Sequence, residues 1–588
     1  LFILNLGYSN VLFTDITSFS GINFSGGSEG VCLFDYNNDG WDDIFFTARN
    51  GNRFYLYRNE QNMIFTDVTY EANLGVTIEG RTPVAADYDN DGDLDLFIGN
   101  AAGQSMLFQN DGNGVFQDVT NISGVLVSNQ VRGSSWVDFN SDGFLDLYVG
   151  LLYDPNKMFK NNGDGTFVDV AQNIGAAGPL SAGIVMGLGF IDYDRDGDQD
   201  LFITQDNNNG NILLRYEDYG AYTDVSAISQ TDLEVMGMGV AFGDINRDGF
   251  FDFYTTNLYQ NSMLLNSSEG VFTDISESSG TEDTPGSMGW GTFFFDADND
   301  GWVDIYNNNQ TNFGGISNSL LLNNSDLTFT LAGYESGVIL NNNGYGSAFS
   351  DLDHDGDLDM VLVGYPSSAG SVNLLRNDSD AQNWVILRLA QSEQNIFAIG
   401  ATIELHHSGL KQLNYIAAGN SYCSQNTFDV HFGLGEETII DSVIVFWPDG
   451  ISESFSGLVF NEINYLNRGA GIAILSTTSE SFFPEIIRLN DPYPNPFNNN
   501  TTLEIQVAKD TKSTLHIYNL KGQGIATFNV QLQKSIMNHY KINFSDLNKK
   551  KCERAVNLSV EKYCGVMEMF RRFATINFNI HYHIVLTK

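Results

Sequence analysis

Seven acidic loops of nine residues carry most of the chemistry that this sequence can support. Each loop fits the pattern Asp-x-Asp/Asn-x-Asp-Gly-x-x-Asp, and the copies begin 51 to 55 residues apart. Carboxylate and amide oxygens at alternating positions of a tight turn can converge on one hard cation, while glycine permits the sharp backbone reversal. The loops therefore predict Ca²⁺ as a cofactor, at about seven structural sites.

The candidate ligands are the side chains at positions 1, 3, 5 and 9 of each loop, together with a backbone carbonyl near position 7. Loop by loop they are Asp35, Asn37, Asp39, Trp41 and Asp43; Asp87, Asp89, Asp91, Asp93 and Asp95; Asp138, Asn140, Asp142, Phe144 and Asp146; Asp192, Asp194, Asp196, Asp198 and Asp200; Asp244, Asn246, Asp248, Phe250 and Asp252; Asp296, Asp298, Asp300, Trp302 and Asp304; Asp351, Asp353, Asp355, Asp357 and Asp359. Asparagine replaces aspartate at position 3 of the first, third and fifth loops, which predicts slightly weaker binding there.

Two other interpretations of the loops compete with metal binding. Asp, Asn and Gly also form solvated turns, but carboxylates held about 5 Å apart repel by roughly 3 kcal/mol per pair, and a metal-free loop would splay. An EF-hand needs Glu at position 12, where this chain has strand residues such as Phe46, Ile98 and Ile203. No loop shows an open metal position beside a base, so the predicted role of the metal is structural.

The elements that must position these loops are short strands. An apolar run such as Asp95–Gly99 follows each loop, and a second run and a glycine turn lead into a phrase such as Phe116–Thr120. Four strands in about fifty residues predict a propeller blade. We therefore expect an all-β, seven-bladed propeller over residues 1–380, with Phe13–Thr17 completing the last blade and closing the ring.

The amino-acid composition limits the classes of partner that this protein can bind. Lys and Arg total 28 against 73 Asp and Glu, a formal charge of −45, which argues against nucleic acid and anionic membranes as partners. The sequence contains no run of eighteen apolar residues, so it predicts no membrane span. Four cysteines are too sparse for a disulfide framework or a zinc site. Residues 1–9 are interpreted either as a signal-peptide remnant or as a first strand.

The loops, with their glycine-rich approach such as Met186–Phe190 and their apolar exit, resemble the FG-GAP or VCBS repeat of integrin-α-like β-propellers. The resemblance covers roughly residues 10–380. It implies that loop positions 1, 3, 5 and 9 are calcium ligands and that the propeller serves binding and adhesion.

A different β-rich segment, residues 383–466, follows the repeats. Its phrases Asn383–Leu389, Ala398–Leu405, His431–Gly435 and Val443–Gly450 resemble an ASPIC/UnbV domain. The combination is similar to the architecture of the cartilage acidic protein family. His406, His407 and His431 lie on predicted strands, and we interpret them as structural, with no catalytic site.

After a predicted linker, residues 467–490, the phrases Tyr493–Phe497 and Ile517–Gln523 resemble a type IX secretion C-terminal sorting domain, assigned here to residues 491–533. The resemblance implies type IX secretion machinery as a partner, and a place outside the cell or attached to the outer membrane of a Gram-negative bacterium. Residues 534–588 hold ten Lys and Arg against four Asp and Glu. We interpret this tail as a shifted reading frame or replaced terminus, with a native basic patch as the alternative.

Together these features predict a secreted or cell-surface calcium-binding propeller that mediates adhesion or binds glycan or protein ligands without catalysis. A calcium-dependent polysaccharide lyase, or another glycan-processing enzyme, is one alternative. It would need a basic and aromatic cluster with a proton-abstracting base, and neither Arg81, Arg132 nor any histidine forms such a constellation by spacing. A surface-layer or matrix component is the other alternative.

Overall fold

The computed structural model divides the chain into two compact units, residues 1–391 with 395–478, and residues 392–394 with 479–588. It describes residues 11–178, 183–217, 220–282, 287–311, 318–340, 343–367, 370–379, 382–392 and 394–475. Between residues 488 and 587 it describes only backbone strands. Residues 1–10, where a signal-peptide remnant is one prediction, lie outside the described residues.

The repeats are built from short strands in antiparallel order. After β1 (Phe13–Asp15), the first blade comprises β2 (Val31–Phe34), β3 (Asp43–Phe46), β4 (Tyr55–Asn59) and β5 (Phe65–Asp67). The second comprises β6 (Gly80–Ala86), β7 (Asp95–Asn100), β8 (Met106–Asn110) and β9 (Phe116–Asp118). The third comprises β10 (Val131–Val137), β11 (Asp146–Leu151), β12 (Lys157–Asn161) and β13 (Phe167–Asp169).

The later repeats follow the same plan. The fourth blade comprises β14 (Val185–Ile191), β15 (Asp200–Gln205), β16 (Ile212–Glu217) and β17 (Ala221–Asp224). The fifth comprises β18 (Gly237–Gly243), β19 (Asp252–Tyr259), β20 (Ser262–Leu265) and β21 (Thr273–Asp274). The sixth comprises β22 (Ser287–Phe295), β23 (Asp304–Gln310), β24 (Ser319–Asn323) and β25 (Phe329–Leu331). The seventh repeat supplies β26 (Asn343–Ser350), β27 (Asp359–Ser367) and β28 (Gly370–Asn377).

Among the described residues, single helical turns follow the fourth strand of some repeats. They are α1 (Thr120–Ser123), α2 (Ser226–Ser229), α3 (Ser276–Ser279) and a 3₁₀ turn (Tyr334–Ser336).

Each acidic loop joins the first strand of its repeat to the second, and position 9 is the first residue of the second strand. The second strands are buried on both faces, as Leu96, Phe97 and Ile98 show with 0% exposure. Continuous apolar runs suit such strands because each face packs on a neighbouring sheet. The loops are thereby anchored to the most deeply buried strands of the propeller.

An all-β propeller is confirmed, but the predicted number of seven blades is wrong. Six blades are built from four consecutive strands each. The three strands of the seventh repeat do not form a separate sheet, because β26 pairs with β23 through Gln310 and Asn343. A further pairing of β19 with β22 joins the last three repeats and β1 into one 12-stranded sheet. The strands β19, β22, β23 and β26 are long enough to pair with a strand of an adjacent repeat. The spacing of the acidic loops in the sequence therefore gives the number of loops, which differs from the number of separate sheets.

The N-terminal strand completes the last repeat, as predicted. β1 pairs antiparallel with β28, with Phe13 opposite Asn377 and Asp15 opposite Leu375. The first strands of the repeats lie side by side in chain order, and β26 also contacts β2. The repeats therefore form a closed ring, in which the first strand of every repeat lies between the first strands of two neighbouring repeats.

A second β domain follows in the same compact unit. Its strands are β29 (Asn383–Ala390), β30 (Thr402–His407), β31 (Leu410–Tyr415), β32 (Ser424–Gln425), β33 (Val430–Gly435), β34 (Ser442–Phe446), β35 (Ser452–Phe455), β36 (Ile463–Asn467) and β37 (Ile474–Leu475). Two four-stranded sheets, β33-β29-β36-β37 and β31-β30-β34-β35, bury Leu387, Ile403 and Val445.

Residues 416–427 of this domain, which we call the central segment, run between the first strands of the repeats. β32 pairs in parallel with β2, the Trp136 N–H donates to Ala418 O at 2.9 Å, and the Thr292 N–H donates to Ser421 Oγ at 2.9 Å. β2, β10 and β22 belong to three different repeats, and they converge only at the axis of the ring. The second domain therefore fills the centre of the propeller.

The second unit contributes β38 (Arg488–Tyr493), β39 (Asn500–Gln506), β40 (Thr511–Tyr518), β41 (Gly524–Leu532), β42 (Asn538–Asn543), β43 (Leu558–Lys562), β44 (Met567–Arg572) and β45 (His583–Thr587). Residues 476–487 of the predicted linker, and the side chains of the predicted sorting module and basic tail, lie outside the described residues.

Candidate metal centres

The aspartate at position 1 organises each acidic loop. In the second loop, Asp87 Oδ1 accepts the N–H of Asp91 and Asp87 Oδ2 accepts the N–H of Gly92, both at 3.0 Å. Six of the seven loops make this pair of bonds. The position 6 glycines have φ between 84° and 100°, a region that L-residues avoid. Glycine is therefore required for the turn.

The aspartate at position 9 is the most buried ligand candidate, with 3% exposure or less in every loop. Its Oδ1 accepts the backbone N–H of the residue that ends or nearly ends the third strand, as Asp95 Oδ1 does from Asn110 at 2.7 Å. Its Oδ2 accepts the N–H of loop position 2 in most loops, as Asp95 does from Tyr88 at 3.3 Å. The carboxylate is thus fixed by backbone donors while one side remains turned toward the loop.

Four loops bring three carboxylate oxygens within 4.8 Å of one another. These clusters are Asp87, Asp89 and Asp95; Asp192, Asp194 and Asp200; Asp296, Asp298 and Asp300; Asp351, Asp353 and Asp355. They are the loops with aspartate at position 3. Oxygen-only donors in a flexible cage are the ligands that Ca²⁺ prefers.

The three loops with asparagine at position 3 satisfy their carboxylates differently. The amide of Asn37 donates to Asp39 Oδ2 at 2.9 Å, and Asn140 and Asn246 donate to Asp142 and Asp248 in the same way. The amide donor neutralises part of the repulsion that a cation would otherwise relieve. Weaker cation binding in these three loops stays a prediction.

Burial and mutual repulsion disfavour the ionised form of the loop carboxyl groups. Burial, with repulsion from Asp39, raises the pKa of Asp35 to about 7. The pKa of Asp192 likewise rises to about 7, chiefly through burial. For Asp200, burial and the charge of Asp194 raise the pKa well above its ordinary value. A bound cation removes this penalty because it stabilises the charged form.

Several buried oxygens of the loops accept no hydrogen bond from the described residues. They include Asp192 Oδ1, Asp194 Oδ1 and Asp200 Oδ2 in the fourth loop, Asp146 Oδ2 in the third and Asp353 Oδ1 in the seventh. Asp146 and Asp200 are 0% exposed. A buried carboxylate oxygen without a partner is costly, and a cation would satisfy it. The donor set therefore fits a hard divalent ion.

The second domain lies over the loop-bearing face of the propeller and contacts each of the seven loops. The donors and acceptors are Arg388 Nη1 to Gly40 O, Asn395 N to Asn90 Oδ1, Ser141 Oγ to Pro448 O, Gln199 Nε2 to Gly400 O, Lys411 Nζ to Asp248 O, Gly435 N to Asn299 O, and His431 Nε2 to Gly356 O. The candidate metal centres are thus at an interface between two domains.

The asparagine near the end of the third strand was not predicted to take part in the site. In the second repeat, Asn110 Nδ2 donates to Leu94 O of its own loop at 3.2 Å and to Tyr36 O of the preceding loop at 2.8 Å. The recurrence of Asn at this place is visible in the sequence. Its partner is not, because the acceptor lies 74 residues away in another repeat.

Residues 35–98, 87–149, 138–203 and 192–255 match the FG-GAP-like repeat family, and residues 391–472 match the family described as ASPIC and UnbV. The chain contains FG-GAP-like repeats and an ASPIC and UnbV domain. Residues 492–549 match the secretion system C-terminal sorting domain, so all three predicted resemblances are confirmed.

Curated relatives match about three quarters of the chain. Cartilage acidic protein 1 of Mus musculus is 24% identical over 470 residues, which are 74% of this chain and 64% of that protein. The Homo sapiens protein is 25% identical over 454 residues, covering 72% of this chain and 60% of its own length. The chain therefore spans somewhat less than two thirds of these relatives.

Among solved structures, the FG-GAP-like propeller is similar to the BP39L lectin from Burkholderia pseudomallei. The identity is 12% and the TM-score 0.39, over 61% of this chain and 100% of the lectin. A likeness at this TM-score does not extend to function.

The sorting domain indicates secretion and cell-surface attachment in bacteria of the Bacteroidetes type, which confirms the predicted location. It also implies contact with the secretion machinery. In the part of the chain that the structure describes, no helix combines the length and apolar character needed to cross a membrane.

Proposed function

We propose that this protein is a secreted or cell-surface calcium-binding propeller that binds a glycan or protein ligand, or mediates adhesion, without catalysis. The observation that carries the calcium assignment is the set of buried, unpartnered carboxylate oxygens in the loops, above all Asp192 Oδ1 and Asp200 Oδ2. The proposed ligands are positions 1, 3, 5 and 9 of each loop with the backbone carbonyl near position 7. Calcium takes six to eight oxygen ligands, so this set leaves room for solvent oxygens.

In this proposal the cation is structural. The second domain covers the loops, and its Arg388 and Lys411 donate to backbone carbonyls of Gly40 and Asp248 rather than to a free ligand. A cation at each loop fixes the surface on which this domain rests. The ligand-binding surface then lies elsewhere on the molecule.

At the opposite end of the first strands, the half-buried Tyr345 and Tyr365 offer an accessible surface, while Trp290 is only 7% exposed. Trp290, Tyr345 and Tyr365 pack in series there, with ring centroids 4.7 and 5.2 Å apart. Tyr365 donates to Glu29, which also pairs with Arg49 and Arg81. Aromatic faces beside fixed charges are typical of surfaces that bind sugars or peptides.

Binding is favoured over polysaccharide lyase activity by the contacts of Arg81. Arg81 donates its Nε to Glu29 and its Nη1 to the carbonyl of Val131 at 3.3 Å. A guanidinium that already holds a buried carboxylate is poorly placed to neutralise the acid group of a sugar during proton abstraction.

Thermal unfolding with calcium and with chelator tests the calcium assignment. Calcium at one hundred times its dissociation constant stabilises the native state by about 2.7 kcal/mol per independent site, so the midpoint should fall strongly in chelator. Asp200→Asn should reduce the calcium-dependent shift, while Asp164→Asn, in an exposed hairpin turn, should leave it unchanged. An identical midpoint with and without chelator would refute the assignment.

A glycan and protein array probed in calcium tests the binding assignment separately. We expect a ligand whose signal falls when Tyr365 is replaced by alanine and persists in Asp164→Asn. Array binding that is unaffected by Tyr365→Ala would exclude the proposed surface, and hydrolysis or elimination products from acidic polysaccharides would favour the lyase.

A further inference from the structure

We propose that six of the seven acidic loops bind their cations as one coupled chain and that the fourth loop binds independently. This inference rests on the proposed function, since it describes how the proposed cation sites influence one another. It is carried by a hydrogen-bond relay that joins the position 9 carboxylates of neighbouring loops.

The relay between the first and second loops shows the geometry. Asp43 Oδ2 accepts the N–H of Tyr36 at 3.1 Å, and the carbonyl of Tyr36 accepts Nδ2 of Asn110 at 2.8 Å. The backbone N–H of Asn110 donates to Asp95 Oδ1 at 2.7 Å. Three hydrogen bonds through one loop residue and one asparagine thus connect Asp43 with Asp95, and every atom in the path is buried or nearly so.

The same link recurs at five junctions of the ring. The asparagine Nδ2 reaches the position 2 carbonyl of the preceding loop at 2.8 to 3.1 Å in the pairs Asn323 to Ile245, Asn377 to Ala297, Asn59 to Leu352, Asn110 to Tyr36 and Asn161 to Tyr88. The position 2 N–H bonds to the position 9 carboxylate of its own loop in each of these five pairs. The relay therefore runs without interruption from the fifth loop through the sixth, seventh, first and second to the third.

The relay does not reach the fourth loop from either the third loop or the fifth loop. Tyr216 takes the place of the asparagine, and its ring packs edge-on against Phe139, with centroids 6.0 Å apart, where a hydrogen bond would otherwise form. Asp146 Oδ2 and Asp200 Oδ2, which would accept the N–H of position 2 in the third and fourth loops, have no hydrogen-bond partner among the described residues. Asn266 still reaches Tyr193 O at 2.9 Å, but the path ends before Asp200.

The relay gives a physical reason for coupling. A cation in one loop fixes the orientation of the position 9 carboxylate and of the position 2 backbone that bonds to it. The asparagine of the next repeat is then held in place, so the next loop loses less conformational freedom when it binds a cation. Hydrogen bonds in a buried chain also reinforce one another. Neighbouring linked loops should therefore bind with positive cooperativity.

Isothermal titration calorimetry of the chelated full-length protein with Ca²⁺ tests the inference. We expect two classes of site, a single independent class and a larger cooperative class with a Hill coefficient above 1. Asn110→Ala should remove one link and weaken binding in the cooperative class by about 5-fold or more, the lower end of usual coupling. Asn113→Ala, which changes an exposed hairpin asparagine, is the matched control and should leave the isotherm unchanged.

Tyr216→Asn supplies a second test that removes no hydrogen bond. It adds the missing amide, but Asp146 Oδ2 still lacks the Phe139 N–H, so the fourth loop should stay in the independent class. A transfer of one calcium equivalent to the cooperative class in this variant would contradict the relay. A titration with uniform, independent sites, or one in which Asn110→Ala resembles the parent protein, would overturn the coupling and leave the calcium assignment intact. A titration without calcium binding would overturn both.

Discussion

The second and fourth acidic loops have the same residues at every candidate ligand position, yet their surroundings differ. Both carry aspartate at positions 1, 3, 5, 7 and 9 and tyrosine at position 2. Asp95, in the second loop, accepts backbone donors at both oxygens, whereas Asp200, in the fourth, accepts one and leaves Oδ2 unpartnered. The third strand also differs outside the loops, with Asn110 in the second repeat and Tyr216 at the same place in the fourth. The environment of a cation site in this ring therefore differs between loops whose candidate ligands are the same.

The largest mutational effect is expected where the linked loops meet the second domain. Arg388 pairs with Asp429 through two nitrogens and donates to Gly40 O of the first loop, and its side chain is 13% exposed. Arg388→Met leaves Asp429 without its cation, so we expect a loss of about 3–5 kcal/mol in the free energy of unfolding. Chemical denaturation measures it.

The control for Arg388 is Lys157→Met, which breaks the exposed pair with Asp169. It should cost about 1 kcal/mol or less because solvent screens such pairs. Equal losses in the two variants would mean that the second domain is not held at the first loop as described.

A smaller effect should separate the second and fourth loops directly. In chelator, Asp95→Asn places an amide NH₂ against one of two buried N–H donors, from Tyr88 and Asn110, and we expect a loss of about 1–3 kcal/mol. Asp200→Asn can keep its bond from Tyr216 and turn its NH₂ toward the unpartnered side, so its cost should be near zero. The same denaturation midpoint for both variants would contradict the distinction between the loops.

The smallest effect concerns the contact of the fourth loop with the second domain. Gln199 Nε2 donates to Gly400 O at 3.1 Å, and both groups are partly buried. Gln199→Ala should cost about 0.5–1.5 kcal/mol, the usual net value of one neutral hydrogen bond. It should leave calorimetric cooperativity unchanged, because this contact is not part of the relay. A lower Hill coefficient in this variant would show that the coupling passes through the second domain.

The sequence was sufficient for the parts of the fold that repeat locally. The acidic loops, the strands that start at residues such as Asp95, and the pairing of β1 with β28 all follow from short patterns and their order. The blade number was wrong because the bond between Gln310 and Asn343 depends on how far two strands extend, which no local pattern encodes.

The surroundings of the candidate site could not be predicted for a related reason. Asn110 acts on a carbonyl 74 residues away, and Arg388 acts on Gly40 from another domain, 348 residues away. The central segment likewise lacks the repeat pattern, and its place in the ring follows from pairing with β2 rather than from its own composition. Local chemistry identified the candidate ligands, while tertiary structure determined which of them are linked.

Anomalous X-ray scattering from crystals grown in calcium tests the central claim most directly. We predict an anomalous peak in each acidic loop, about 2.3–2.6 Å from the side-chain oxygens at positions 1, 3, 5 and 9. When the calcium concentration is lowered, the fourth loop should retain its peak regardless of whether the other six loops lose theirs. If the loops show no anomalous density and their carboxylates are bridged by water or protons alone, the loops do not bind calcium and the central claim is contradicted.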